Sequence, residues 1–197
     1  MSIPFPTPVY PQAAPGPLSD GHLAELAAGK RASKRIRRTA AFARASSMTT
    51  GVLAAITMLG ILFGDWTSLV LGAALLTVAV REGKFGARLA LFEPGMPRAL
   101  AMNQLILGLV VVVYALVQVR TAMHVSAASV DPQVDAIMAD FGAMVKSITI
   151  GFYLCVAVGG AAGGGLMALY YSRRTRTLSR FLAETPPWVL QAMRAAG

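Results

Sequence analysis

The side chains that ordinarily carry chemistry are few in this chain, and their spacing brings none of them together. Ligation of a metal or haem by histidine needs two or more converging side chains. His22 and His124 are the only histidines. Three apolar segments separate them, which puts them on opposite sides of whatever those segments cross. No HExxH or CxxC spacing occurs. Cys155 is the only cysteine; it lies within an apolar run, where a thiol is inert, and reads as a small packing residue. A lone cysteine excludes an intrachain disulfide. No serine has the GxSxG context of an activated nucleophile. Asn103, the only asparagine, is followed by Gln104 and Leu105, so there is no N-glycosylation site. The chain is expected to have no catalytic, cofactor-binding or metal-ligating residue.

Two patterns stand out from that background. The first is Gly159-Gly160-Ala161-Ala162-Gly163-Gly164-Gly165. Gly159 and Gly163 lie four apart, as do Gly160 and Gly164, and Ala157, Ala161 and Gly165 repeat the step. Small residues at that interval let two membrane helices approach closely, and packing must drive their contact because lipid offers no hydrophobic force between them. Each glycine also destabilises a helix by about 0.8–1 kcal/mol relative to alanine, so a close contact is needed to offset the run. That contact is expected within the bundle or between subunits; a hinge or a small ligand is the alternative. The second pattern is Asn103 with Gln104, one turn inside an apolar segment. These are expected to hydrogen-bond to a neighbouring helix, at about 0.6 kcal/mol on average, or to line a polar pocket.

The elements that must position these residues follow from composition. Hydrophobic residues make up 55% and charged residues 14% of the 197, with mean hydropathy +0.59. Charges cluster between long apolar runs, as in a membrane protein. The expected fold is all-α: a four-span transmembrane bundle with spans at about 46–63, 67–81, 99–119 and 147–171. Gly64-Asp65-Trp66 turns the first hairpin, and Pro94-Gly95-Met96-Pro97 breaks the chain before the third span. Between them, 81–98 is expected to hold a short interfacial helix with Phe85, Leu89, Leu91 and Phe92 toward lipid and Lys84 and Arg88 toward water. Asp131-Pro132 resembles an N-cap with proline at the first helical position, and Val134, Ile137, Met138, Phe141, Met144, Val145 and Ile148 then keep a helical period. The fourth helix is therefore expected to run unbroken over about 132–178 and to project from the bilayer, its apolar stripe covered by an extension of the third helix through Met123 and Val125.

Outside the 46–178 membrane domain, residues 1–18 hold six prolines and read as a disordered tail. Ser19 or Asp20 is expected to cap a basic helix over 19–45, on the membrane surface or projecting from it. The tail 179–197 is expected to form a short interfacial helix. Trp66, Tyr170, Tyr171 and Trp188 suit interfacial anchors.

Sixteen of the eighteen basic residues fall on one side of this topology; only Arg120 and Lys146 fall on the other. The positive-inside rule then puts both termini in the cytoplasm, against anionic lipid headgroups. The net charge of +9 reads as a topology signal and not as nucleic-acid binding. Arginine outnumbers lysine and alanine and glycine abound, which hints at a high-GC bacterial genome, so the membrane expected is a bacterial inner membrane. The outer connection lacks the cysteines of tetraspanins and claudins, and no span carries the central glutamate of the small multidrug transporters. The expected function is non-enzymatic: association through helices as a scaffold or accessory subunit, with a homo-oligomer or another membrane protein as partner. The alternatives are an oligomeric channel or facilitator for a small solute and, more remotely, a lipid-active membrane enzyme. Reporter fusions at residue 130 are predicted to read out on the non-cytoplasmic side; a cytoplasmic signal there contradicts the topology.

Overall fold

The computed structural model describes residues 19–124 and 132–196, with side chains of the second stretch from 141 onward. Helix α1 spans Asp20–Met58 and tightens into a 3-10 turn at Leu59–Phe63; α2 spans Trp66–Ala90, α3 Met96–His124, α4 Pro132–Glu184 and α5 Pro187–Ala195. No strand occurs among the described residues.

Local chemistry accounts for the boundaries. Ser19 Oγ accepts from the His22 N–H at 3.4 Å and caps α1. Gly64, at φ 79°, ends the 3-10 turn in the left-handed region that suits glycine. Asp65 then caps α2 by accepting from the Thr67 N–H at 2.9 Å and the Ser68 N–H at 3.3 Å. The Ser68 and Thr67 hydroxyls also donate to it, and these bonds hold its carboxyl below the usual carboxylate range. Pro187 opens α5 at its first position. Asp131, Val125 and the proline-rich tail 1–18 lie outside the described residues, as do the side chains of Val134, Ile137 and Met138.

Three segments are long and apolar enough to cross a membrane: Asp20–Phe63, Met96–His124 and Phe141–Glu184. The four expected from the sequence become three by this measure. Helix α2 falls short because Arg81, Glu82 and Lys84 interrupt it. Its uncharged stretch, 66–80, rises about 22 Å at 1.5 Å per residue, against a hydrocarbon core of about 30 Å. No separate helix forms over 81–98 either, since α2 continues unbroken to Ala90.

Helices α1 and α2 form an antiparallel pair with a small-residue seam. Buried positions on α2 recur at steps of four and three: Ser68, Gly72, Leu75, Ala79, Glu82, Gly86, Leu89. On α1 the same rhythm runs through Ala40 and Ala43, and resumes at Thr50 and Ala54. A Cβ at Gly86 would lie 3.2 Å from Ala43 Cβ, and one at Gly72 would overlap the Met58 side chain. Ser47 Oγ donates to the Ala79 carbonyl across the seam at 2.8 Å. Helices α3 and α4 form the second pair, tied far from the termini by Lys146 Nζ, which donates to the Met123 carbonyl at 2.8 Å.

The two pairs converge where both described ends lie, here called the basal end. There Ile36, Ala40 and Ala43 of α1, Leu89 and Phe92, Leu100 of α3, Tyr171, Leu178 and Phe181 of α4, and Val189 and Met193 of α5 form one core. Two expectations change. Leu89 and Phe92, expected to face lipid, are 1% and 0% exposed, because Leu89 lies on the buried face of α2 and the turn after α2 folds Phe92 against Phe181 of α4 and Arg37 of α1. Helix α5 docks on protein: a Cβ at Gly29 would lie 2.7 Å from Val189 Cγ1, and Arg194 Nε donates to the Leu91 carbonyl at 3.0 Å. Conversely, the apolar stripe of Phe141, Met144, Val145 and Ile148 is exposed. Among the described residues α3 does not cover these four; the expected cover through Val125 lies outside them.

Phe92 holds the turn between α2 and α3 at φ 59°, a left-handed conformation that a bulky residue rarely adopts. Its ring lies 5.2 Å from that of Phe181, with the Arg37 guanidinium 5.7 Å from its centroid. Burial of the ring compensates for the backbone strain. Phe92→Ala is predicted to lose about 3–5 kcal/mol. Phe92→Gly should lose about 1 kcal/mol less, because glycine relieves the left-handed strain although it has no ring. Unfolding titrations in mild detergent compare the two; equal losses would contradict the strain.

Candidate functional site

The chemically unusual place in the molecule is the junction of all four long helices just above the basal core. Glu82 takes its turn in the α2 seam and is 0% exposed. It belongs to the segment 81–98 expected to form an interfacial helix, between Arg81 and Lys84. Those two neighbours are exposed, because one residue along a helix turns a side chain by about 100°. The steps of four and three through Gly72, Ala79 and Gly86 are the signal that would have found it.

Its partners come from the other helices. Gln104 Nε2 of α3 donates to Glu82 Oε1 at 2.7 Å, and the Tyr171 hydroxyl of α4 approaches the same oxygen at 3.4 Å. Asn103, 0% exposed, donates through Nδ2 to the Val78 carbonyl at 3.1 Å, one turn before Glu82. Two acceptors here have no partner: Glu82 Oε2 and Asn103 Oδ1. Asn103 and Gln104, expected as helix glue or a polar pocket, thus bond to α2 through a backbone carbonyl and a carboxyl group.

The glycine run divides by face. Gly160 and Gly164 turn inward: a Cβ at Gly160 would lie 2.7 Å from Val111 Cγ1, and one at Gly164 2.9 Å from the Gln104 carbonyl oxygen. Gly108 of α3 completes the contact, since a Cβ there would lie 2.8 Å from the Gly160 carbonyl oxygen. This close approach holds α4, which carries Tyr171, against the helix that carries Gln104. Gly159, Gly163 and Gly165 meet nothing within 4 Å, and neither does Gly151. Together with exposed Cys155, Gly151, Gly159 and Gly163 form a line at four-residue steps on the outer face of α4.

The aromatic residues divide as well. Trp66 is exposed at the far end of α2. Tyr171 is buried in the junction, while Tyr170 meets Phe42 edge to face and lies under Arg174. Trp188 Nε1 donates to Glu25 at 3.1 Å, and its ring meets His22 edge-on at 5.3 Å. Below the junction, Arg31 and Arg35 of α1 and Arg176 and Arg180 of α4 line a cleft of about 850 Å³. His22 and His124 are not brought together, and among the described residues no cluster of histidine, cysteine, aspartate or glutamate could hold a metal.

No protein family, curated protein or solved structure matches this chain.

Gln104 makes the short bond to Glu82, at 2.7 Å, with the Ser46 hydroxyl as a further contact, so its loss should exceed that of the Tyr171 hydroxyl. Gln104→Ala is predicted to destabilise by about 1–3 kcal/mol, the range for leaving a buried polar group unsatisfied. Tyr171→Phe, which removes only the long hydroxyl contact, should lose less than about 1 kcal/mol. Unfolding from mild detergent into denaturing detergent measures both; a larger loss for Tyr171→Phe would contradict the assignment.

Proposed function

We propose that this chain is a multi-pass protein of a bacterial inner membrane that acts by helix association, as a scaffold or accessory subunit of a membrane complex, and has no enzymatic activity. In this reading α2 makes a fourth crossing, short but flanked by α1 and α3. Its direction, opposite to both, supports this. Both termini are cytoplasmic, supported by the concentration of basic residues at the basal end. The arginine-lined cleft suits anionic lipid headgroups there.

The observation that carries the association reading is the outer face of α4. Gly151, Cys155, Gly159 and Gly163 leave a shallow track with nothing over its glycines. The exposed Phe141, Met144, Val145 and Ile148 continue an unpartnered surface toward the start of the same helix. Gly160 and Gly164 already show how such a track is used, by admitting the backbone of α3. A second helix, from another copy of this chain or from a different membrane protein, would find the same close approach on the outer side.

The structure also separates the substitutions that test association from those that break the fold. Gly159→Leu with Gly163→Leu should leave the α3–α4 pair intact and shift the native mass to that of the lone chain. Gly160→Leu with Gly164→Leu should instead force α3 and α4 apart and lower thermal stability. A wild-type protein that extracts from its own membrane as a lone chain, with a mass unaffected by the outer pair of substitutions, contradicts the proposal.

A further inference from the structure

The Glu82 carboxyl is enclosed by four helices, and none of them brings it a cation. From α1, the Ser46 hydroxyl is a neutral hydrogen-bonding contact of the carboxyl and Ser47 spends its hydroxyl on the Ala79 carbonyl, while Arg44 is exposed. On α2 itself, Arg81 and Lys84 are exposed. From α3 come the neutral amides of Asn103 and Gln104, with Arg98 exposed. From α4 comes the Tyr171 hydroxyl; Arg173 is exposed and Arg174 stacks on Tyr170. The ion pair found among the described residues is Arg180–Glu184, elsewhere on the surface.

An ionised carboxylate enclosed without a counter-charge is strongly disfavoured, and ionisable groups kept inside membrane bundles mark sites of function. The two oxygens without partners indicate what neutralises it. Glu82 Oε2 and Asn103 Oδ1 are both acceptors, and both belong to this cluster. A protonated carboxyl is a donor as well as an acceptor. One proton on Oε2 therefore removes the charge and supplies the donor that Asn103 Oδ1 lacks. Among the described residues a third buried oxygen without a partner, Thr175 Oγ1, lies on α4 one turn beyond Tyr171, and a metal cation would need several oxygens around it.

We propose that Glu82 is a proton-binding site, in which a proton taken from solvent resides on Oε2, donates to Asn103 Oδ1 and fastens α2 to α3 beneath the α4 contact. Release of that proton leaves a charged, half-satisfied group in the junction and loosens the helices around it. Neither step depends on whether the α4 face binds a partner.

The test is infrared spectroscopy of the full chain in liposomes across a pH series, with thermal unfolding followed in parallel. The wild type should show the carbonyl stretch of a protonated carboxyl at neutral pH. That band should vanish as pH rises, and thermal stability should fall with it. Glu82→Gln should lack the band and keep its stability over the same range, because its amide supplies the donor without a titrating proton. Asn103→Leu should shift the frequency of the band by removing its acceptor, which provides a second test if Glu82→Gln does not accumulate. Absence of the band from the wild type at neutral pH overturns the proposal. So does a band that persists in Glu82→Gln, or one that sodium or potassium abolishes at constant pH, which would place a metal cation in the junction.

Discussion

A carboxyl group that is fully enclosed must find its hydrogen bonds within the protein, and much of this structure is arranged around that demand. Glu82 lies on α2, but its close donor is on α3 and its second contact is on α4. Those helices can reach it only if their backbones come close, and glycine is what permits this. Gly108, Gly160 and Gly164 bring α4 against α3, while Gly72 and Gly86 bring α2 against α1. Below the junction, Phe92, Tyr171, Phe181 and Val189 close the basal core, and the strained turn at Phe92 is part of that closure. The polar contact, the glycine seams and the strained turn support one another.

The molecule is consequently unequal along its length. At the basal end five helices share a core. Toward the other end each hairpin packs mainly on itself, and Leu62, Phe63 and Trp66 are exposed. An apolar furrow of about 520 Å³, lined by residues including Val70, Leu71, Leu109 and Val113, runs between α2 and α3 there. Hydrocarbon suits such a surface, so lipid can complete at the far end what protein completes at the basal end. Helix α4 is two-sided in the same way, with one track of small residues filled by α3 and a second track open.

Much of the helical framework was legible in the sequence because caps and breakers act locally. Ser19, Gly64-Asp65 and Pro94-Gly95 each mark a boundary by a side-chain bond, a left-handed residue or a missing donor. The inward half of the glycine run was legible for its spacing, although spacing alone does not say which of two interleaved tracks faces inward. The rest was hidden for physical reasons. Lipid and protein interior are equally apolar, so Leu89 and Phe92 carry no mark that distinguishes a membrane-facing residue from a core residue. Glu82 was hidden by Arg81 and Lys84, which make the segment look like a solvated connection until its heptad rhythm is followed. The buried face of α1 runs through Gly29, Ser33, Ala40 and Ala43, too weakly hydrophobic to register as a stripe. The expected interfacial helix within 179–197 docks through Val189 and Met193 instead, because an amphipathic pattern describes docking on a membrane and docking on protein equally well.

By this account the helices are clamped at the basal end and less constrained at the other. Pulsed electron spin resonance between labels in liposomes tests it directly, with Cys155→Ser as background. One pair replaces the exposed residues Lys34 and Ser179, joining α1 to α4 near the basal core; the other replaces Leu62 and Ile148 on the same two helices near the far end. A narrow distance distribution for the basal pair and a broader one for the far pair is the predicted result. A basal distribution as broad as the far one, or a far pair held as narrowly as the basal pair, would contradict it.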